Sequence, residues 1–356
     1  MCVDSNGNIH IAYVSSDGST KKIKYTNNIG GTFGNPVEIA TTSWAYRKAL
    51  IAVDSNDKVH IAYTGADDNG HRFIYYVNNI GGAFSTPTAV SPEGNYHNPA
   101  MALDSNGKAH IIWYRAGYEY TYYSNNIGDT FSSPIQIGWG DLKWPAIAID
   151  SNDKAHVVGM RHSSATDSDV RYCNNVSGSF SSPSVISGTD PAADVAGCYW
   201  PIAIDSNNSV HVAFWSHYGD EDYEISYVNN MSGYFSTPTQ ITNNPDDHYR
   251  TSIVLDSNNN AHIAYYNGTS KDSYYTNNAS GTFGPAEHIF SSHIDYPSMA
   301  IDKSTDDIYV VYGTGGEIYY ATQAQEPIPE PATICLMVLG ILGLVGVVIK
   351  QRRKGK

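Results

Sequence analysis

The chain has 356 residues, of which 41% are hydrophobic and 28 are tyrosine. Its 35 acidic side chains outnumber 21 basic ones, for a formal net charge of −14. Such a chain lacks the basic footprint that phosphates require, which excludes a nucleic-acid partner.

The first feature in chain order is also the one that repeats. Asp-Ser-Asn occurs at Asp4, Asp54, Asp104, Asp150, Asp205 and Asp256, with a looser Asp302-Lys-Ser after them; the intervals are 50, 50, 46, 55, 51 and 46 residues. Six residues after each of the first six aspartates stands a histidine: His10, His60, His110, His156, His211 and His262. In the seventh unit Tyr309 takes that place, one residue late. An Asn-Asn pair follows each histidine by 15 to 18 residues, starting at Asn27, Asn78, Asn125, Asn174, Asn229 and Asn277, and leads into Gly-x-Phe.

Each unit carries four apolar stretches. In the third they are "PAMALD", "AHIIWY", "YTYYSNN" and "SSPIQIG", rich in β-branched and aromatic residues and separated by turn formers. No helical period occurs before the C-terminus. The repeat therefore predicts an all-β fold, a seven-bladed β-propeller of four-stranded blades of about 50 residues, over residues 1–322. A solenoid is the alternative, but closing the ring removes exposed sheet edges. Ala52, Ala102, Ala148, Ala203 and Ala300, two residues before their aspartates, mark the crowded innermost strands; Val254 and Cys2 hold that place in their units.

The Asp-Ser-Asn segments read as turns between first and second strands. Asp and Asn fold onto nearby amides, and Gly or Asn accepts positive φ. The calcium alternative resembles half of an EF-hand loop without its closing acidic ligand. A histidine present in six blades suits packing better than a single active site, so no metal and no cofactor are expected.

Function is expected on the opposite face, where blades connect and the second and third strands join, because there the sequence varies from unit to unit. The lead-ins to the inner strands are aromatic and polar: Tyr46-Arg47, Tyr96-His97, Lys143-Trp144, Tyr199-Trp200, His248-Tyr249-Arg250 and Asp295-Tyr296. They are expected to ring the mouth of the central channel. The loops "YRAGYEY" (114–120), "RHSSATD" (161–167) and "SHYGDEDYE" (216–224) join them. Aromatic faces beside hydrogen-bonding groups suit sugars, with Trp144 and Trp200 as the principal anchors. The alternative is that these rings pack between blades.

Cys173 and Cys198 flank the outer strand of the fourth unit, and spacing alone leaves a disulfide between them open. After "GEIYYAT" the seventh unit offers no fourth strand before a proline-rich linker, residues 323–331. Where propellers close by strand exchange, that strand comes from the N-terminal side. Met1-Cys-Val-Asp begins at the end of an inner strand and no secretion signal precedes it, so further upstream sequence is expected.

Residues 332–349 are 18 uncharged, mostly apolar residues, followed by a tail, 350–356, with five basic residues in seven. Eighteen helical residues match the hydrocarbon thickness of a bilayer. The residues before the tail carry 16 basic against 35 acidic side chains, a net −19. By the positive-inside rule the tail is cytoplasmic and the propeller outside.

Pro329-Glu330-Pro331, the apolar span and the basic tail together resemble the PEP-CTERM sorting signal of bacterial envelope proteins. The resemblance implies export, a transmembrane anchor and an exosortase-type sorting enzyme as partner, with possible release to the cell surface after sorting.

The repeats also resemble the sialidase-like, BNR-type propellers, whose Asp-box is Ser-x-Asp-x-Gly-x-x-Trp; here Asp precedes Ser and His replaces Trp. "YRKALIAVD" (46–54) resembles their arginine-bearing lead-in without its proline. That resemblance implies parts drawn from Arg47, Arg115, Arg161 and Arg250 with Glu119, Glu221 or Glu224. "YHNPAMALD" resembles propeller-type polysaccharide lyases, which would make His97 a base or charge neutraliser beside Tyr96. The leading expectation is a non-catalytic, envelope-anchored propeller that binds extracellular polysaccharide or another surface ligand. A glycosidase or lyase at the same face and a purely structural envelope protein are the alternatives.

Overall fold

The computed structural model describes residues 1–17, 20–43, 45, 49–164, 167–187, 202–218, 222–290, 297–314, 317–323 and 345–349. Seven four-stranded antiparallel meanders form the blades of a propeller. Their inner strands are Cys2–Val3, Ala49–Val53, Tyr96–Leu103, Lys143–Ile149, Ile202–Ile204, His248–Leu255 and Ser298–Ile301. Neighbouring inner strands touch around the ring, and the seventh meets the first. Each blade buries its apolar residues against the next. Ala146, Val158 and Val170 of blade four, for example, share one core with Val210, Val212 and Phe214 of blade five.

The repeated residues form one hydrogen-bonded chain per blade. In the first six, Oδ1 of the turn aspartate accepts the backbone N–H groups two and four residues on, at 2.6–2.9 Å. Its Oδ2 faces the histidine Nε2 at 3.1–3.4 Å. The histidine Nδ1 lies 2.5–2.7 Å from a tyrosine hydroxyl: Tyr25, Tyr76, Tyr123, Tyr172, Tyr227 or Tyr275. In blades one, three, four and six the Asn two residues after that tyrosine donates to the same hydroxyl. The donors assign the tautomer: in the first five blades Nε2–H donates to the carboxylate and Nδ1 accepts from tyrosine, while His262 Nε2 faces Asp256 at 3.4 Å without the alignment of a hydrogen bond.

The second Asn of each pair uses its Oδ1 to accept the N–H of the residue before the histidine, at 2.5–2.7 Å. The two turns of a blade are thereby tied together. These histidines are no more than 4% exposed. Burial, only partly offset by the aspartate, pushes His60, His110, His156, His211 and His262 below the ordinary imidazole range. Burial alone would raise the carboxyl of Asp150, but donors from Lys154, His156 and Asn152 outweigh it and hold it below its usual value.

The same face joins blade to blade. The residue after each Asp-Ser-Asn adopts positive φ, as at Asp57, Asp153, Asn208 and Asn259. Its side chain then accepts the N–H of the preceding blade's serine, Ser5, Ser105, Ser151 or Ser206, at 2.8–3.0 Å. Where glycine stands instead, at Gly107, a Cβ would lie 2.9 Å from Asp54 Oδ2 of the preceding blade, so the neighbour fills the space. The Gly-x-Phe rings also cross blades: Phe84, Phe131, Phe180, Phe235 and Phe283 pack edge-on against the preceding blade's network tyrosine at 4.9–5.1 Å.

Blade seven differs from the expectation. Its outer strand is Val345–Ile349, paired antiparallel to Glu317–Gln323, and no strand from the N-terminal side fills that place. The sequence predicts helix over 332–349; the structure lays its last five residues along the otherwise open edge of blade seven. A Val- and Ile-rich segment suits that edge, whose N–H and C=O groups need partners. Among the described residues no helix is long and apolar enough to cross a membrane. Cys173 is free and fully buried, its thiol pushed up to about 12 by desolvation. Cys198 lies outside the described residues.

Candidate functional site

Among the described residues the inner strands line only a small axial cavity. It measures about 120 Å³ among Ala100, Ala146, Ile202, Ser252 and Ser298, well below the several hundred Å³ of ordinary small-molecule sites. A ligand therefore meets the mouth, and there three inner strands share one irregularity. Each has a bulge near its start, between Ile112 and Tyr114 of the partner strand in blade three, Lys143 and Ala146 in blade four, and Tyr249 and Ser252 in blade six. Within them Asn98, Trp144 and Arg250 take φ of 48°, 48° and 59°. All three stand six residues before their turn aspartate. Non-glycine residues at positive φ cost about 1–3 kcal/mol each, and bulges re-aim side chains beside functional sites.

In blade three Tyr96 is 2% exposed, edge-on to Trp113 at 6.2 Å. Asn98 is 1% exposed and neither of its amide atoms has a partner, nor has Trp113 Nε1. His97 pairs through its backbone with Tyr114. In blade four Lys143 Nζ lies 2.8 Å from Glu119 Oε1 of the preceding blade, and Trp144 is half-buried against the core between blades four and five. That is the packing alternative raised for the tryptophan.

Blade six builds the densest cluster. His248 is 1% and Glu224 4% exposed. His248 Nδ1 lies 3.1 Å from Glu224 Oε2 without the alignment of a hydrogen bond. Glu224 Oε1 accepts the N–H of Asn244 at 3.0 Å. Ser216 Oγ and Trp215 Nε1, beside them, are also buried and unpartnered. The Tyr249 ring is caged by Trp215 at 5.1 Å and Tyr223 at 5.2 Å. A Cβ on Gly268 would meet it at 2.4 Å, so only glycine fits beneath it. Burial, helped by Asp247, pushes the Tyr249 hydroxyl above its ordinary range, which keeps it a neutral hydrogen-bonding group. The Arg250 guanidinium lies 5.9 Å over the Tyr266 ring.

The lead-ins at blades three, four and six are thus brought to one rim. Tyr46, Arg47, Tyr199, Trp200, Asp295 and Tyr296 lie outside the described residues, as does Glu221. The described arginines do not converge: Arg115 stacks on Tyr118, Arg161 meets Asp169 at 3.5 Å, and Arg250 covers Tyr266. Glu224 and His248, the pair best suited to acid–base work, are both buried, and the His248 ring lies edge-on to Tyr265 at 5.4 Å. The sequence reading passed over Asn98, Trp113 and Trp215. Asn98 and Trp144 each precede a proline at the same unit position, and that shared X-Pro is the one signal that pointed to the bulges.

Residues 327–354 match the PEP-CTERM protein-sorting motif. No curated protein matches the chain. Among solved structures, a polysaccharide lyase, the ulvan lyase bound to -[GlcA(1-4)Rha3S]-, superposes with TM-score 0.58 at 13% identity, covering 89% of this chain and 90% of that one. A protein of unknown function from Dyadobacter fermentans gives TM-score 0.54 at 10% identity, covering 78% and 90%. A puromycin-hydrolyzing peptidase of Mycobacterium tuberculosis gives 0.54 at 10%, covering 88% of this chain and 51% of its own. At such identities the likeness is one of fold.

Proposed function

We propose that the protein is an exported, envelope-anchored propeller that binds an extracellular polysaccharide at its bulged face without turning it over. The sorting motif supports export and an exosortase-type partner. In this reading residues 1–322 are the external propeller, 323–331 the linker, 332–349 a helical span and 350–356 the cytoplasmic tail. A bilayer requires a spanning segment to satisfy its backbone internally, as a helix does. The strand pairing of 345–349 is then the arrangement of the chain outside the bilayer.

The observation that carries the binding reading is the alignment of strained bulges at Asn98, Trp144 and Arg250 around one rim. Such strain persists where a site needs particular side chains held in place. The sequence reading adds Tyr46, Arg47, Tyr199, Trp200 and Tyr296, which lie outside the described residues, as further candidate ligand contacts. Burial of Glu224 and His248 supports binding over catalysis, since a general acid or base must reach its proton.

The test is a panel of polysaccharides offered to the full-length protein in detergent, with binding and release of shortened or unsaturated products both followed. Binding without products is expected, and Arg250→Gln with Tyr249→Ala should weaken it by roughly tenfold or more. Steady product formation, or no binding to any member, overturns the proposal.

A further inference from the structure

Blade three carries a row of side chains that starts at the rim with Tyr96 and continues beyond it. Four residues lie opposite one another across its four strands: Tyr96 with Arg115, Arg115 with Tyr120, and Tyr120 with Trp139. Directly paired residues project from the same face of a sheet. The row therefore runs from the channel mouth to the outer edge of the blade. A shift in register between Thr121 and Tyr122 brings Trp139 opposite Tyr120.

The outer half of this row is open. Trp139 is 70% exposed and Tyr118 58%. Tyr118 stacks on Tyr120, centroids 6.4 Å apart and planes at 23°. Tyr120 meets Tyr122 edge-on at 6.2 Å, and Tyr122 in turn stacks on the buried Trp113. Among the described residues the other strongly exposed aromatic, Tyr234, sits in an Asn-Asn turn on the opposite face. The platform is fixed from behind, because Glu119 accepts the Gly140 N–H through its carbonyl and the Lys143 ammonium through its carboxylate. Two large rings left in water on a braced support are a recognition surface rather than unfinished core.

The polar member of the row selects the ligand. The Arg115 guanidinium lies 4.3 Å over the Tyr118 ring. Lys22, Lys108, Lys143, Arg161 and Arg171 each meet a carboxylate within 3.5 Å. Arg115 is oriented by an aromatic face and keeps its fork of donors for something else. A stacked guanidinium suits planar, bidentate recognition of an oxyanion. Because the propeller as a whole is acidic and repels polyanions, such a contact has to be short-ranged and directional.

We propose that blade three is an extended subsite for an acidic polysaccharide. Successive pyranose rings stack on Tyr118, Tyr120 and Trp139, and a carboxylate or sulfate of the chain is held by Arg115. This rests on the polysaccharide reading above and adds to it the path and charge of the ligand.

Polygalacturonate, dextran sulfate and dextran, offered to full-length protein in detergent, separate the possibilities by dissociation constant. Wild type binds one or both acidic polymers more tightly than dextran, the stronger arm identifying carboxylate or sulfate as the group recognised. Trp139→Ala and Tyr118→Ala, exposed positions whose loss leaves melting unchanged, weaken that binding roughly tenfold. Arg115→Gln removes the preference for acid while leaving weak dextran binding in place. Wild-type affinity in Trp139→Ala and Tyr118→Ala, with Arg250→Gln still impaired, overturns the blade-three subsite and leaves the rim reading standing. Equal affinity for dextran, unaffected by Arg115→Gln, overturns the acidic assignment. Failure of wild type to bind any of the three overturns both.

Discussion

Below pH 6.5 the melting temperature of the propeller is expected to fall as pH falls. Burial depresses five network histidines below the unfolded value of about 6.5. The unfolded chain therefore binds more protons than the folded one, and stability falls as pH falls. It is complete above the unfolded pKa and is lost on the way down toward the folded values. Each such histidine contributes a slope of up to about 1.4 kcal/mol per pH unit, so five approach roughly 7 kcal/mol per unit. Against a typical margin of about 5–15 kcal/mol, a slope of that order lowers the melting temperature measurably. Lowered carboxyls such as Asp150 act in the same direction at still lower pH.

Thermal melts from pH 8 to pH 4.5 check this, with His156→Phe as the control. That variant starts less stable, having orphaned Asp150 and Tyr172, yet its acid limb should be shallower by one histidine. A melting temperature flat down to pH 5 would mean that burial does not hold these histidines neutral.

The double substitution Leu339→Asp with Leu344→Asp is expected to release the full-length protein from membranes. Two carboxylates at mid-bilayer cost roughly 5–7 kcal/mol on insertion scales, enough to shift partition by more than a thousandfold. Leu344 directly precedes the strand Val345–Ile349, and Leu339 lies well outside it. A chain whose C-terminal residues stay in blade seven would be indifferent to both changes. Fractionation after carbonate washing separates the two states, and unchanged membrane retention of the double variant contradicts the span.

Much of this architecture is legible in the sequence because it is periodic. Asp104 and His110 return in six units, and a period near 50 residues with four strands leaves few folds to choose from. The tyrosine that completes each network was equally visible, two residues before every Asn-Asn pair, but Tyr is so abundant that the position did not stand out. The serine staples were not legible. Ser105 bonds Asp153 across 48 residues of chain, and only closure of the ring brings the two turns together.

The proposed binding face was legible as composition and not as geometry. Tyr96, placed on the rim by its position before an inner strand, is buried edge-on against Trp113 in the structure, next to the bulge at Asn98. Trp139, the most exposed tryptophan among the described residues, was passed over because it ends an outer strand away from any repeated lead-in. Its importance comes from lying opposite Tyr120 and Arg115, and register is a property of the sheet rather than of the string.

The account divides the propeller into a turn face that holds the ring together and an opposite face that binds. Hydrogen–deuterium exchange on the full-length protein, with and without the tightest-binding polysaccharide, tests that division most directly. Protection gained at residues 96–98, 114–120, 139–144 and 248–250, with the Asp-Ser-Asn turns at 104–108 and 150–154 unchanged, is the predicted map. Protection centred on those turns, with the bulged strands and blade three unaffected, would contradict it.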